Sequence, residues 1–134
     1  MARIMVVDDD ACIRSLLRRT LELKGYEVVE ANNGSEGLQQ YHTAPTDLVI
    51  TDIQMPVMNG LQMIKELRRT FPFAKVMAIS AGKSTLDMVR SCVQCAMEKP
   101  FHIKQFVAAV QALLHEPACL EGEQADMAAL QVSA

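Results

Sequence analysis

Short apolar runs alternate with longer amphipathic stretches along the first 115 residues of the chain. The runs lie at Ile4–Val7, Val28–Ala31, Leu48–Ile50 and Val76–Ile79, with a weaker one near Val93–Met97. Their short length and β-branched content predict strands that are buried on both faces of a sheet. The stretches between them carry apolar residues at helical spacing.

The predicted helices differ in how regular their apolar stripe is. The inner face of the first helix is expected to carry Ile13, Leu16, Leu17 and Leu21, and its outer face Arg14, Arg18, Arg19 and Glu22. The second helix, about residues 35–42, and the fourth, about residues 84–91, have the weakest patterns. The third helix has a clear stripe that ends before Pro72, and the last helix has one that begins at Ile103.

Strands that alternate with helices predict β–α crossovers and a parallel sheet. Five such units predict an α/β, doubly wound, flavodoxin-like fold, with a five-stranded parallel sheet of order 2-1-3-4-5 and helices on both faces. We expect one domain over residues 1–116. Residues 117–134 are expected to form a C-terminal tail, with no output domain in the chain.

Composition narrows the class of protein. Hydrophobic residues make up 50% of the 134 positions, charged residues 22%, and the formal net charge is −3. These values predict a soluble globular protein and argue against a nucleic-acid-binding surface, which is strongly basic. The chain has no apolar run of the roughly 18 residues that a membrane span needs and no signal peptide. We therefore expect a cytoplasmic protein whose four cysteines are reduced thiols.

Chargeable residues follow the predicted strands. Asp8 and Asp9 follow the first run, Asp52 ends the third, Ser80 ends the fourth, and Lys99 follows the fifth. The carboxyl ends of parallel strands share one edge of the sheet, where such folds bind ligands. Three carboxylates, a hydroxyl and an ammonium group are therefore expected in one crevice.

This combination favours phosphoryl-transfer chemistry. Carboxylates placed close together raise one another's pKa unless a cation joins them. Oxygen ligands without nearby His or Cys favour a hard ion, and Mg²⁺ is the natural candidate. In such a site a carboxylate is the nucleophile, the cations neutralise charge on the transferred group, and the product is an aspartyl phosphate.

Four motifs carry a family resemblance. They are VVDDD at 6–10, VITDIQMPVMNG at 49–60, ISA at 79–81 and EKPF at 98–101. Each is weak alone, but together and in this order they are specific. Over residues 2–115 the chain resembles the receiver domains of two-component response regulators, of the CheY-like kind.

The resemblance implies a phospho-acceptor and a metal site. Asp52 is expected to accept a phosphoryl group from a sensor histidine kinase or a histidine phosphotransfer protein. Asp9, Asp52 and the backbone carbonyl of Gln54 are expected to bind Mg²⁺ directly, and Asp8 through a water molecule.

The resemblance also implies a switch. Lys99 is expected to pair with the phosphoryl group, and Ser80 to move toward it on phosphorylation. The peptide bond before Pro100 is expected to be cis. The chain would then regulate an effector protein of unknown identity, and would catalyse nothing beyond its own phosphoryl transfer and dephosphorylation. No nucleic acid or membrane is expected as a direct partner.

Two positions depart from the family pattern. Receivers commonly carry Tyr or Phe three residues before the lysine, and here that residue is Ala96. The interval from Ser80 to Lys99 is also about one helical turn shorter than usual, so the bounds of the fourth helix do not follow from the family pattern. Both departures affect signal output and leave the acid, serine and lysine set complete.

Other functions remain possible from the sequence. A receiver fold that binds partners without phosphorylation is the first alternative, motivated by Ala96 and by the short fourth unit. A flavodoxin-like electron carrier and a phosphatase-type enzyme are further alternatives. The Cys92-x-x-Cys95 spacing is a weak metal or redox signal, and packing thiols are the favoured interpretation.

Overall fold

The computed structural model describes residues 2–55 and 57–115, and over these ranges strands and helices alternate. The strands are β1 (Arg3–Val7), β2 (Glu27–Ala31), β3 (Leu48–Asp52), β4 (Val76–Ser80) and β5 (Cys95–Glu98). The helices are α1 (Ala11–Leu23), α2 (Gly34–Thr43), α3 (Gly60–Thr70), α4 (Lys83–Val89) and α5 (Ile103–His115). The predicted tail, 117–134, lies outside the described residues.

All strands pair in parallel in the order β2-β1-β3-β4-β5, so the predicted fold and strand order are confirmed. The register places Val7 opposite Thr51, and Asp52 opposite Ile79. Strands β1, β3 and β4 therefore end nearly level with one another. Their carboxyl ends form one edge of the sheet, where the following loops meet.

The sheet separates two apolar cores. Alternate strand residues such as Met5 and Val7 face α2, α3 and α4, while Ile4 and Val6 face α1 and α5. Helices on both faces bury most of the central strands, which explains why those strands are apolar except near their ends.

Polar side chains begin the helices that border the carboxyl edge. The carboxylate of Asp10 accepts hydrogen bonds from two amides of the first turn of α1. Asn33 caps α2, and Asn59 forms a reciprocal capping box with Gln62 at the start of α3. These caps fix where each loop ends.

Helix α1 differs from its predicted faces. Leu17 and Leu21 are buried, but Leu16 is 52% exposed. Successive helical residues turn by about 100°, so Leu16 lies near the margin of the apolar stripe, outside the contact with the sheet. Arg14, expected on the solvent face, is half-buried.

The segment between α4 and β5 also differs. Strand β5 begins at Cys95 rather than near Val93. The backbone amide of Gln94 donates to the Val76 carbonyl at 3.0 Å, but the Val76 amide donates to the Gln94 side-chain oxygen at 2.8 Å. A side chain therefore takes the place of a backbone partner just before the strand. Helix α4 has seven residues and continues into a 3-10 turn at Arg90–Cys92. The longest helices, α1 and α5, have 13 residues each. Within the described ranges no helix is both long and apolar enough to cross a membrane.

The two cysteines of the Cys-x-x-Cys spacing lie on opposite faces of the sheet. Cys92 packs against the α2–α3–α4 core and Cys95 against the α1–α5 core. This separation agrees with the interpretation as packing residues.

Candidate functional site

Three aspartates meet at the carboxyl edge of the sheet. One carboxylate oxygen from each of Asp8, Asp9 and Asp52 lies within 4.8 Å of the other two. Asp8 is buried, Asp9 is exposed, and Asp52 is half-buried. The fold therefore brings together the acids that the sequence placed after two different strands.

The acidic loop after β1 is held by its own backbone. The Asp8 amide donates to the Ala31 carbonyl at 3.2 Å, which continues the pairing with β2. The Asp8 Oδ1 atom accepts the Asp10 amide at 2.9 Å. Because Asp10 also caps α1, the loop turns sharply from strand to helix with both Asp8 and Asp10 fixed.

Lys99 lies beside Asp52. Its Nζ atom is 3.6 Å from Asp52 Oδ2, and the side chains are 29% and 11% exposed. The Lys99 amide donates to the carbonyl of Ser80 at 2.9 Å, which anchors the residue to the end of β4. The Lys99–Pro100 peptide bond is cis.

Ser80 is fully buried at the end of β4. Its Oγ atom accepts a hydrogen bond from the Gly82 amide at 3.1 Å. The register places Ser80 one residue beyond Ile79, the partner of Asp52. The hydroxyl is therefore tied to the backbone just before α4.

The carboxylates are in an unfavourable environment for negative charge. Burial raises the pKa of Asp8 above its ordinary value of 3.8, although the Asp10 amide opposes the shift; the charge of Asp52 adds to it. Burial likewise raises the pKa of Asp52, and the ammonium group of Lys99 opposes this. The single positive charge of Lys99 does not neutralise the three carboxylates of the cluster.

The donor set fits a hard divalent cation. The cluster offers carboxylate oxygens, the ligands that Mg²⁺ prefers, and contains no His or Cys. A cation there would offset the burial that raises the two pKa values. Gln54 lies two residues after Asp52, and its backbone amide donates to Asp52 Oδ1 at 3.4 Å.

A glycine allows α3 to begin against the end of strand β3. A Cβ atom on Gly60 would lie 2.5 Å from the Asp52 carbonyl oxygen and 2.8 Å from Ile53 Cα. The Gly60 amide donates to the Ile53 carbonyl at 2.9 Å. In the intervening loop Val57 has a φ of 70°, a left-handed conformation that is rare for a β-branched residue.

Ala96 occupies the position where the resemblance expects an aromatic ring. It pairs with Ala78 in the sheet and packs against the α2–α3–α4 core. A methyl group at this position has no rotamers to switch between. Sequence reasoning identified this departure, and the structure places it beneath α4.

Sequence reasoning missed Arg14 as a site residue. Its Nη1 atom donates to the Asp8 carbonyl at 2.6 Å and to Asn32 Oδ1 at 3.2 Å. Its Nε atom pairs with Glu30 at 3.0 Å. An arginine on the polar side of a helix gives no sequence signal for such a contact, because the loop carbonyl becomes visible only in three dimensions.

Comparison with known proteins gives a consistent result. Residues 4–111 match the family model described as "Response regulator receiver domain". Among curated proteins, the response regulator MprA of Mycobacterium ulcerans is 33% identical over 134 residues, covering 98% of this chain and 58% of that protein. A CpxR homolog of Haemophilus influenzae is 33% identical over 121 residues, covering 88% of this chain and 52% of that protein. The chain thus spans about half the length of these relatives.

Solved structures with the same fold include receivers of similar length. TrrA from Thermotoga maritima, in complex with Mg²⁺-BeF, superposes with a TM-score of 0.80 at 35% identity, covering 84% of this chain and 99% of that one. CheY4 of Vibrio cholerae superposes with a TM-score of 0.78 at 28% identity, covering 84% of this chain and 98% of that one.

Proposed function

Because this chain belongs to the family of response regulator receiver domains, we propose that Asp52 accepts a phosphoryl group from the phosphohistidine of a sensor kinase or a histidine phosphotransfer protein. The observation that carries the proposal is the half-buried Asp52 carboxylate beside Lys99, within reach of two further acids. The transfer breaks the phosphorus–nitrogen bond of the phosphohistidine and forms a phosphorus–oxygen bond to Asp52. The imidazole ring, whose other nitrogen carries a proton before the transfer, leaves as neutral imidazole.

The residues around Asp52 serve this transfer. The Lys99 ammonium group neutralises charge on the phosphoryl oxygens and stays beside the product. Asp8, Asp9, Asp52 and the Gln54 carbonyl would hold Mg²⁺, which supplies further charge neutralisation when bound. The complex of TrrA with Mg²⁺-BeF supports this choice of ion.

Ser80 is the proposed sensor. Phosphorylation adds a charge of about −1.5 to −2 and three acceptor oxygens at Asp52. The Ser80 hydroxyl turns to donate to one of them and leaves the Gly82 amide, its partner in the present structure. Because α4 begins at Lys83, this exchange shifts the start of that helix.

We place the receiver function in residues 1–116 of a cytoplasmic protein whose conformational change regulates an effector protein. Its only catalytic activity is its own phosphoryl transfer and dephosphorylation. No direct contact with nucleic acid or membrane is part of the proposal.

Intact-mass measurement tests the acceptor. The chain is incubated with Mg²⁺ and acetyl phosphate, and its mass is recorded for wild type, Asp52→Asn and Asp10→Asn. The Asp10→Asn variant is the matched control, because asparagine is also a good N-cap and Asp10 lies outside the acidic cluster. We expect one added phosphoryl group in wild type and Asp10→Asn, and none in Asp52→Asn or with a chelator. Uptake by Asp52→Asn would refute the assignment.

A second experiment tests the sensor. The Ser80→Ala variant should still gain the phosphoryl group, since Lys99 and the acids are intact. In ¹H–¹⁵N spectra recorded with Mg²⁺ and beryllofluoride, the shifts of Gly82 and α4 amides should be at least halved relative to wild type. Unchanged shifts in the variant would show that Ser80 does not transmit the signal.

A phosphorylation-independent interaction module is the second candidate, and Ala96 is the observation that favours it. In the family, the rotamer of a Tyr or Phe at that position is coupled to the movement of the serine or threonine. Ala96 has no ring, so this coupling is missing. Calorimetric titration with Mg²⁺ separates the two functions. Binding supports the phospho-acceptor, and a folded chain that binds no metal supports the interaction module.

A further inference from the structure

Arg14 joins the acidic loop to strand β2 through three polar contacts. Its side chain is 17% exposed, although it lies on the polar side of α1. The guanidinium group donates to the Asp8 carbonyl at 2.6 Å and to Asn32 at 3.2 Å, and pairs with Glu30 at 3.0 Å. Glu30 is held in turn by Arg18 at 2.7 Å.

The contact with the Asp8 carbonyl acts on both acids of the loop. That carbonyl belongs to the planar peptide unit that carries the amide of Asp9. Fixing the oxygen fixes the orientation of the whole unit, and with it the direction from which the Asp9 side chain leaves the backbone. Asp9 is exposed, so this backbone orientation matters for its place in the cluster.

We infer that Arg14 is a positioning residue for cation binding, which holds the Asp8–Asp9 peptide unit so that both carboxylates face Asp52. This inference rests on the proposed Mg²⁺ site. Glu30 holds the Nε atom of the guanidinium group while Nη1 donates to the carbonyl, and among the described ion pairs none joins Arg14 to the three acids. Arg14 therefore supports the site through the backbone and does not compete with the cation for the carboxylates.

If Arg14 acted only through its positive charge, replacing it would change the Mg²⁺ affinity in the opposite direction. Removing a positive charge near three acids strengthens Mg²⁺ binding by Coulomb's law alone. Removing a group that orients metal ligands weakens binding, typically by about 10–100-fold. The direction of the change therefore separates the two roles.

Calorimetric titration of the metal-free full chain with Mg²⁺ tests the inference. Arg14→Gln is compared with Arg19→Gln, which removes the same charge from an exposed position five residues further along the same helix and leaves Arg18 and Glu30 in place. We expect Arg14→Gln to raise the dissociation constant about tenfold and Arg19→Gln to leave it within about twofold. Arg14→Lys keeps the positive charge but lacks the fork of donors that a guanidinium group offers. Its dissociation constant should lie between those of wild type and Arg14→Gln.

A readout without metal completes the test. In the metal-free protein the ¹⁵N shift of the Asp9 amide should move in Arg14→Gln and stay in place in Arg19→Gln. Equal or tighter Mg²⁺ binding by Arg14→Gln relative to Arg19→Gln would overturn the positioning role and leave the proposed function standing. A wild-type chain that binds no Mg²⁺ would overturn both.

Discussion

Asp8 is a carboxylate held where its charge is costly. Burial raises its pKa, and Asp52 adds to the effect. Burial therefore favours the neutral form of this carboxyl group in the metal-free protein. Groups whose pKa is shifted by burial and by a specific charged neighbour are typical of functional sites.

Asp8→Asn should stabilise the metal-free protein at neutral pH by about 1 kcal/mol, the scale of many single substitutions. Since the folded pKa of Asp8 lies above 3.8, the folded state binds the proton more tightly, and the contribution of this group to stability falls as pH rises through the window above 3.8. The asparagine Oδ1 atom can still accept the Asp10 amide. Urea unfolding in chelator, at neutral pH and near pH 3.5, measures the difference.

The pH dependence provides the control for this prediction. The advantage of Asp8→Asn should shrink at the acidic end, where Asp8 is mostly protonated in both states. Asp10→Asn, at an exposed cap outside the cluster, should differ little from wild type at either pH. A metal-free Asp8→Asn protein that is less stable than wild type at neutral pH contradicts the argument.

At the scale of elements, the end of α3 is connected to the segment that leads into β5. Arg68 donates to the carbonyl of Cys92 and to the Gln94 side chain, both at 2.9 Å, and to the carbonyls of Pro72 and Ala74. One side chain therefore links α3, the approach to β4 and the approach to β5. This connection supports β5, a short strand at the edge of the sheet.

Arg68→Ala should lower the free energy of unfolding by about 2–4 kcal/mol, because it removes a charged donor from several partly buried acceptors. Arg69→Ala is the matched control. Arg69 is the next residue of α3, its side chain is 75% exposed, and it pairs only with Glu66 among the described ion pairs. We expect a cost of about 0.5 kcal/mol or less there, and equal effects in urea unfolding would refute the role of Arg68.

The elements could largely be predicted from the sequence, because buried parallel strands read as continuous apolar runs. Their ends could be predicted less well. The start of β5 depends on how Gln94 bonds Val76, a contact between residues 18 positions apart. The exposure of Leu16 depends on how α1 lies on the sheet, which an apolar stripe alone does not define.

At the scale of the whole molecule, the strand order gathers the ends of β1, β3, β4 and β5 around one crevice. Asp8, Asp9, Asp52, Ser80 and Lys99 could be predicted as a group because one topological rule places them all. Arg14 could not, since its role depends on a single backbone carbonyl. The rule locates strand ends and says nothing about which helix side chains reach back over the loops.

Mg²⁺ should stabilise the whole fold, because a ligand that binds only the folded state adds RT ln(1 + [Mg²⁺]/Kd), about 2.7 kcal/mol at 100 times Kd. The melting temperature of wild type should rise with each addition of Mg²⁺ and return with chelator. Asp52→Asn, which loses one carboxylate of the cluster, should show a smaller rise at every concentration. Identical rises in the two proteins would place the ion elsewhere.

The position of Lys99 has a consequence for how the protein is made. The acids that surround it come from the first and third strands, whereas the lysine follows the last strand of the sheet. During synthesis the acidic cluster leaves the ribosome before its cationic partner does. The complete site can therefore form only after β5 has emerged and joined β4. The proposed ability of Asp52 to accept a phosphoryl group thus depends on the last strand of the chain as well as on the first.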